Sequence, residues 1–187
     1  IIAEVVVPLP DSGVSAAIGV SQKSQIPFEL GIIRSHYVGR TFIEPSQTIR
    51  QFGVKLKHSV NRSCIENKKV VLIDDSIVRG TTANKIVKMV YEAGAKEVHL
   101  GISCPPILHP DFYGIDTPNY NQLIASKSSL KEMTKLVGAK SLFFLSLNGT
   151  YKAMGCEKRN SKTPQFTDHC FTGEYPIDVT EILKLNR

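Results

Sequence analysis

Two adjacent carboxylates, Asp74 and Asp75, follow four apolar residues, Val70, Val71, Leu72 and Ile73, and precede a short loop with one glycine, Gly80. Thr81 and Thr82 then open a segment with helical spacing. An unbroken apolar run of this length reads as a buried parallel strand. A strand, a loop and a helix start in this order bring free backbone N–H groups and the positive end of a helix dipole beside two carboxylates. Such a cradle suits a phosphate with hydroxyls or a metal ion next to it. The plainer alternative is a loop in which Asp75 caps the helix and Asp74 is solvated.

The elements around the loop fit the first reading. Ala83, Ile86, Val87, Val90 and Ala93 share one helical face. Thr81 or Thr82 is expected to cap that helix and Gly94 to end it. Residues 95–103 read as the next strand, giving one β-loop-α-β unit over 70–103 whose crossover should be right-handed. Upstream, residues 2–7 read as a first strand, 8–13 (PLPDSG) as a loop, 14–23 as a helix and 28–34 as a second strand. Residues 35–60 lack periodicity and are rich in polar and basic side chains, which predicts a long functional or mobile loop. Downstream, Ser129 and Glu132 have capping-box spacing for a helix carrying Leu130, Met133 and Val137, stopped by Gly138. Residues 141–147 read as a last strand, and the polar tail from Met154 as a segment wrapping the domain. The expected architecture is α/β: an open, mostly parallel twisted sheet with helices on both faces. Its domain is expected over 1–155, with a C-terminal extension over 156–187. Ligands in such sheets sit at the carboxyl ends of the strands, where these motif loops leave.

The chain has 187 residues, 42% apolar and 21% charged, which is ordinary globular composition. No run approaches a membrane span, and the apolar start, IIAEVVVPLP, reads as a strand rather than a leader. Because it begins at Ile1, within strand-like sequence, the chain reads as a piece of something longer. A net charge of +6 suits a polyanionic small substrate. The basic residues are scattered and aromatics are 7%, so neither a nucleic-acid nor a membrane partner is expected. Four cysteines, Cys64, Cys104, Cys156 and Cys170, form no CxxC pair and suit a reducing compartment.

The stretch VVLIDDSIVRGTT resembles the 5-phosphoribosyl-1-pyrophosphate (PRPP) motif of type I phosphoribosyltransferases. Its form DDSIVRGTT, with VPLPDSGVSAA at 7–17, HYVGRTFIEPSQTIRQFGVKLK at 36–57 and FYGIDTP at 112–118, is similar to the amidophosphoribosyltransferase family. The resemblance spans nearly the whole chain but only the C-terminal half of that family's architecture. It implies that Asp74 and Asp75 hold the ribose hydroxyls of PRPP or a Mg²⁺ ion, and that Ser76, Ile77, Val78, Arg79, Gly80, Thr81 and Thr82 wrap the 5′-phosphate. Asp11, Ser12 and Gly13 would approach the pyrophosphate, with Ser12 also a metal ligand. An ordinary turn explains PDSG equally well, and Arg79 reads equally as a solvated arginine. Arg40, Arg50, Lys55 and Lys57 would neutralise the departing pyrophosphate from a closing loop, the family's catalytic device, though alone they read as a basic linker.

The implied reaction replaces the pyrophosphate of PRPP with ammonia, the first step of de novo purine synthesis in the cytoplasm. The family's N-terminal glutaminase domain, which generates ammonia, is expected to be absent from this stretch. The resemblance also implies a homo-oligomer and purine nucleotides as inhibitors, with Arg34 and Tyr113 to Asp116 as candidate contacts. Some family members carry an iron–sulfur cluster. Here Asp111 and Thr167 stand where two of its cysteines are expected, so no cluster is expected. Cys156, His169 and Cys170 form at most a partial zinc set with poor spacing. Two other functions fit a fold of this kind: a regulator that senses PRPP without turnover, and a salvage enzyme that couples PRPP to a purine base.

Overall fold

The computed structural model describes residues 2–35, 58–117 and 119–185. It divides into two compact units: residues 1–74 with 87–99, and 75–86 with 100–187.

In the first unit, β1 (Val5–Pro8) pairs in parallel with β4 (Lys69–Asp74), in the register Val5 with Val70 through Pro8 with Ile73. All of β1 is buried, as are Val70, Val71, Leu72 and Ile73, which is why both strands read as continuous apolar runs. Helix α1 (Val14–Ser24) follows the first loop.

The expected strand over 28–34 is in fact two pieces. Phe28 makes an isolated parallel bridge to Val6, and β2 (Ile32–Arg34) instead pairs antiparallel with β3 (His58–Val60). The break falls at Gly31. A Cβ there would lie 3.0 and 3.1 Å from the Val7 methyls, and the chain turns with Gly31 N–H donating to the Glu29 carbonyl. A short α2 (Arg62–Ile65) buries Ile65 and leads into β4.

Helix α3 (Thr81–Glu92) carries its apolar face as expected, with Ala83, Ile86, Val87 and Val90 buried. Burial of this kind contributes about 1.5–3 kcal/mol for each Ile or Val. Gly94, at φ 98°, ends it and donates to the Tyr91 carbonyl. The next strand, β5, runs over Glu97–Ile102. Strand order in the sheet is β1-β4-β5-β6.

The second unit adds a 3-10 turn (Tyr120–Gln122), α4 (Ile124–Lys127), α5 (Leu130–Val137), β6 (Ser141–Phe144), α6 (Leu147–Ala153), α7 (His169–Thr172) and α8 (Thr180–Leu185). The capping box at α5 is present: Ser129 accepts from the Glu132 N–H, and Glu132 accepts from the Ser129 N–H. Gly138 closes the helix at φ 75°. Met133 and Val137 are buried, but Leu130 lies on the outside, 49% exposed. β6 is shorter than expected, because Ser146 caps α6 by accepting from the Gly149 N–H and so ends the extended run.

The segment after residue 155 is held within the second unit. The Leu108 and His109 N–H groups both donate to the Cys170 carbonyl, and the Tyr175 hydroxyl donates to the Pro110 carbonyl. Buried Tyr151 donates to Asp168, which also pairs with Arg159.

Candidate functional site

The loop after β1 closes directly on the end of β4. Leu9 N–H donates to the Ile73 carbonyl, and Gly13 N–H donates back to the Leu9 carbonyl. Gly13 is buried, and a Cβ on it would lie 2.2 Å from the Ile73 oxygen. The absence of a side chain is what lets this loop lie against the strand end. Asp11 and Ser12 are exposed at its crest, and the Pro10–Asp11 peptide is cis. Arg34, at the end of β2, donates from Nη1 to Asp11 Oδ2 at 2.8 Å. One candidate nucleotide contact therefore braces another candidate site residue.

β4 ends at Asp74, which is half-buried, and the chain passes directly to exposed Asp75. Oδ1 of Asp75 accepts from the Ser76 N–H at 2.7 Å and the Ser76 hydroxyl at 3.2 Å, fixing the start of the loop. Ile77 is buried and anchors the loop by its side chain, between half-buried Ser76 and Val78. Val78 C=O accepts from the Ile124 N–H at 2.8 Å, and Arg79 donates to the side-chain oxygen of Gln122. Segment 120–128 thus supports the loop, a role with no signal in the sequence because it lies some forty residues downstream without a motif. Arg79, Lys85 and Lys127 line an open concavity of about 620 Å³ between the loop and this segment.

The cap of α3 is not a threonine. The first intrahelical bond runs from Asn84 N–H to the Gly80 carbonyl, so Gly80 precedes the helix and Thr81 and Thr82 occupy its first turn. Both threonines are exposed there, beside first-turn N–H groups that have no partner within a helix. Gly80 holds φ 75°, a left-handed conformation that L side chains rarely adopt. A valine at this position is expected to cost about 1–3 kcal/mol, since it is β-branched at positive φ and its Cβ would sit 2.9 Å from Ile124 Cδ1. Thermal melts of Gly80→Val check this, and an unshifted melt would show that the loop tolerates another course.

Arg40, Arg50, Lys55 and Lys57 lie outside the described residues. Tyr113 to Asp116 form an exposed turn on buried Asp111, whose Oδ2 accepts from the Tyr113 and Ile115 N–H groups. Burial pushes the Asp111 carboxyl up, but those two N–H groups and His169 outweigh it and hold it below the ordinary range. The partial zinc set is corrected by the geometry: among the described residues it is Asp111, not Cys156, that joins His169 and Cys170.

This geometry has counterparts among known proteins. The chain is 63% identical over 180 residues to the amidophosphoribosyltransferase of Rhizobium etli, covering 96% of this chain and 36% of that protein. It is 54% identical over 179 residues to the chloroplastic amidophosphoribosyltransferase 1 of Arabidopsis thaliana, covering 96% of this chain and 31% of that one. The solved glutamine PRPP amidotransferase from B. subtilis, complexed with ADP and GMP, superposes with a TM-score of 0.84 at 51% identity, covering 97% of this chain and 40% of its own. The chain thus spans roughly a third of the curated relatives it matches. The family model for the phosphoribosyl transferase domain matches residues 3–111, from the start of β1 past the carboxylate loop, and the chain belongs to that family.

Proposed function

We propose that this chain is the phosphoribosyltransferase part of an amidophosphoribosyltransferase, which replaces the pyrophosphate of PRPP with ammonia in purine synthesis. The observation that carries this reading is the course of residues 69–92: a buried strand ending in Asp74, the exposed Asp75, a loop pinned at Ser76, Ile77 and Val78, and a helix whose first turn is Thr81-Thr82. The likeness to amidophosphoribosyltransferases across nearly the whole chain supports it.

In the reaction, the nitrogen lone pair of ammonia attacks C1 of the ribose while the C1–O bond to pyrophosphate breaks and takes the electron pair. Phosphoribosylamine forms, and a proton is lost to solvent. Asp74 and Asp75 would orient the ribose hydroxyls, and the amides of 76–82 would fix the 5′-phosphate. The 11–13 loop would face the pyrophosphate. Arg40, Lys55 and Lys57 would neutralise the charge that develops on it. No single catalytic base is required. Asp74, Asp75 and Ser12 would supply oxygen donors only, and Asp75 and Ser12 are exposed, which suits Mg²⁺, an ion that keeps several waters. When bound, Mg²⁺ would stabilise the leaving pyrophosphate. Purine nucleotides are proposed inhibitors, supported by the ADP and GMP in the B. subtilis relative, with Arg34 and Tyr113 to Asp116 as contacts. A homo-oligomer, a glutaminase partner domain as ammonia source, and a cytoplasmic setting complete the proposal. Among the described residues no helix is long and apolar enough to cross a membrane.

Pyrophosphate release from PRPP and Mg²⁺ tests this reading, with the expected release dependent on ammonia. Release only with hypoxanthine or guanine would assign a salvage enzyme, and tight binding without release a sensor. Asp75→Asn is expected to weaken PRPP binding about 10- to 100-fold, the loss of charge-assisted hydrogen bonds. Its melting temperature should barely move, since the carboxylate is exposed. Unchanged affinity by calorimetry would remove Asp75 from the site.

A further inference from the structure

Three donor atoms of different chemistry converge in the second unit, and the proposed transfer uses none of them. His169 Nε2 lies 2.7 Å from Asp111 Oδ1 and 3.4 Å from Cys170 Sγ, and that sulfur is 3.9 Å from the same oxygen. Asp111 and His169 are each only 4% exposed. With Asp111 Oδ2 occupied by two backbone N–H groups, Oδ1 is the oxygen turned to the cluster. The imidazole is clamped between the Tyr113 ring, edge-on at 5.0 Å, and the Tyr175 ring, tilted 31° at 5.0 Å. The backbone holds the third donor in place, since the Cys170 carbonyl accepts from Leu108 and His109.

Protons serve this arrangement poorly. One hydrogen on Nε2 reaches Asp111 Oδ1 but cannot also serve the sulfur, and the sulfur's own route to that oxygen is long at 3.9 Å. A dipositive ion at the centre takes all three lone pairs at once. Metal–ligand lengths of about 2.0–2.3 Å give a tetrahedron with edges of about 3.3–3.6 Å. The observed edges of 2.7, 3.4 and 3.9 Å bracket that range. A mixed oxygen, nitrogen and sulfur set rejects Mg²⁺ and Ca²⁺, which take oxygen, and suits zinc. It has too few thiolates to hold an iron–sulfur cluster.

We propose that Asp111, His169 and Cys170 bind one zinc ion, with the fourth position open to solvent beside half-buried Cys170, and that the ion fastens the 169–175 segment to the 111–117 turn. The ligating form of cysteine is the thiolate, so zinc taken up by the Cys170 thiol displaces its proton.

Cobalt(II) titration of the chelator-stripped chain, its fold checked by circular dichroism, tests the site. One equivalent should produce a thiolate-to-cobalt charge-transfer band and tetrahedral d–d bands. Loading the stripped chain with either metal should release one proton, and zinc should displace the cobalt without further release and raise the melting temperature. Cys170→Ser should abolish the charge-transfer band, and Asp111→Asn should weaken affinity at least 10-fold, whereas Cys156→Ser should change neither. Folded wild-type protein without the band would overturn the proposal whatever the variants do. So would a band that survives Cys170→Ser or is lost in Cys156→Ser. An as-purified protein with acid-labile sulfide and broad visible absorption would replace zinc with an iron–sulfur cluster.

Discussion

Gly13→Ala is expected to lose about 3 kcal/mol of stability, the upper end of the overpacking range, and to bind PRPP more than 100-fold more weakly in whatever fraction stays folded. The added methyl would sit 2.2 Å from the Ile73 carbonyl oxygen and 2.9 Å from that of Leu9, both main-chain atoms in the pairing that docks the loop on β4. No rotamer change relieves this, because neither obstacle is a side chain. Backbone conformation is not the obstacle: Gly13 has φ −75° and ψ −8°, which alanine adopts freely. The effect therefore comes from volume alone and separates this position from Gly80, where the sign of φ is the constraint. Urea unfolding at unchanged m-value measures the first effect and calorimetry the second. A midpoint within about 0.5 kcal/mol of wild type would show that the loop does not rest on β4 as described.

Asp168→Ala is expected to destabilise the second unit by about 3–5 kcal/mol, the usual consequence of removing one member of a buried ion pair. Arg159 Nε lies 2.5 Å from Asp168 Oδ2, with the side chains 10% and 6% exposed. The same carboxylate accepts from the Tyr151 hydroxyl at 2.8 Å and the Thr172 hydroxyl at 3.1 Å. Its removal leaves the Arg159 Nε without its acceptor, the guanidinium held, among the described residues, by exposed Glu174 alone, and the buried Tyr151 hydroxyl with a long 3.5 Å contact to the Phe166 carbonyl. Burial pushes the Asp168 carboxyl up, but Arg159, then Tyr151 and Thr172, hold it below the ordinary range. A carboxyl lowered on folding stabilises above its unfolded pKa of about 3.9 and ceases to do so as pH falls through its folded value. Stability should therefore be level from pH 7 to about 5 and drop below about 4, and Asp168→Asn should flatten part of that drop. A wild-type curve that stays level to pH 2 would contradict the assigned pairing, as would Asp168→Ala melting like wild type.

The parts of this fold that could be read from the sequence are those governed by local rules. The α3 face, the β4 run, the Ser129–Glu132 box and the Gly138 and Gly94 stops all depend on residues within one turn or one strand of each other. The features that depart from the sequence expectation depend on distant partners or on finer competition. The β2–β3 pair has three-residue strands, too short for alternation to register, and its partner lies beyond the long basic segment. Thr81 and Thr82 are good capping residues, yet Gly80 takes the position because the loop arrives there in a left-handed turn. The carboxylate and glycine motifs announced which residues to watch. Nothing in the order of residues announced that Gln122 and Ile124 would prop the loop, or that Asp111 would meet His169 across 58 positions.

The contact of Leu9 and Gly13 with Ile73 has a temporal corollary. Strand β1 leaves the ribosome before β4, so its loop has no surface to lie on until Ile73 has been synthesised, more than sixty residues later. The first loop is thus completed by the last residues of the fourth strand, and its shape is acquired only once that strand has emerged. A translational pause upstream of Lys69 would leave the PDSG segment unformed, accessible to proteases until synthesis resumed.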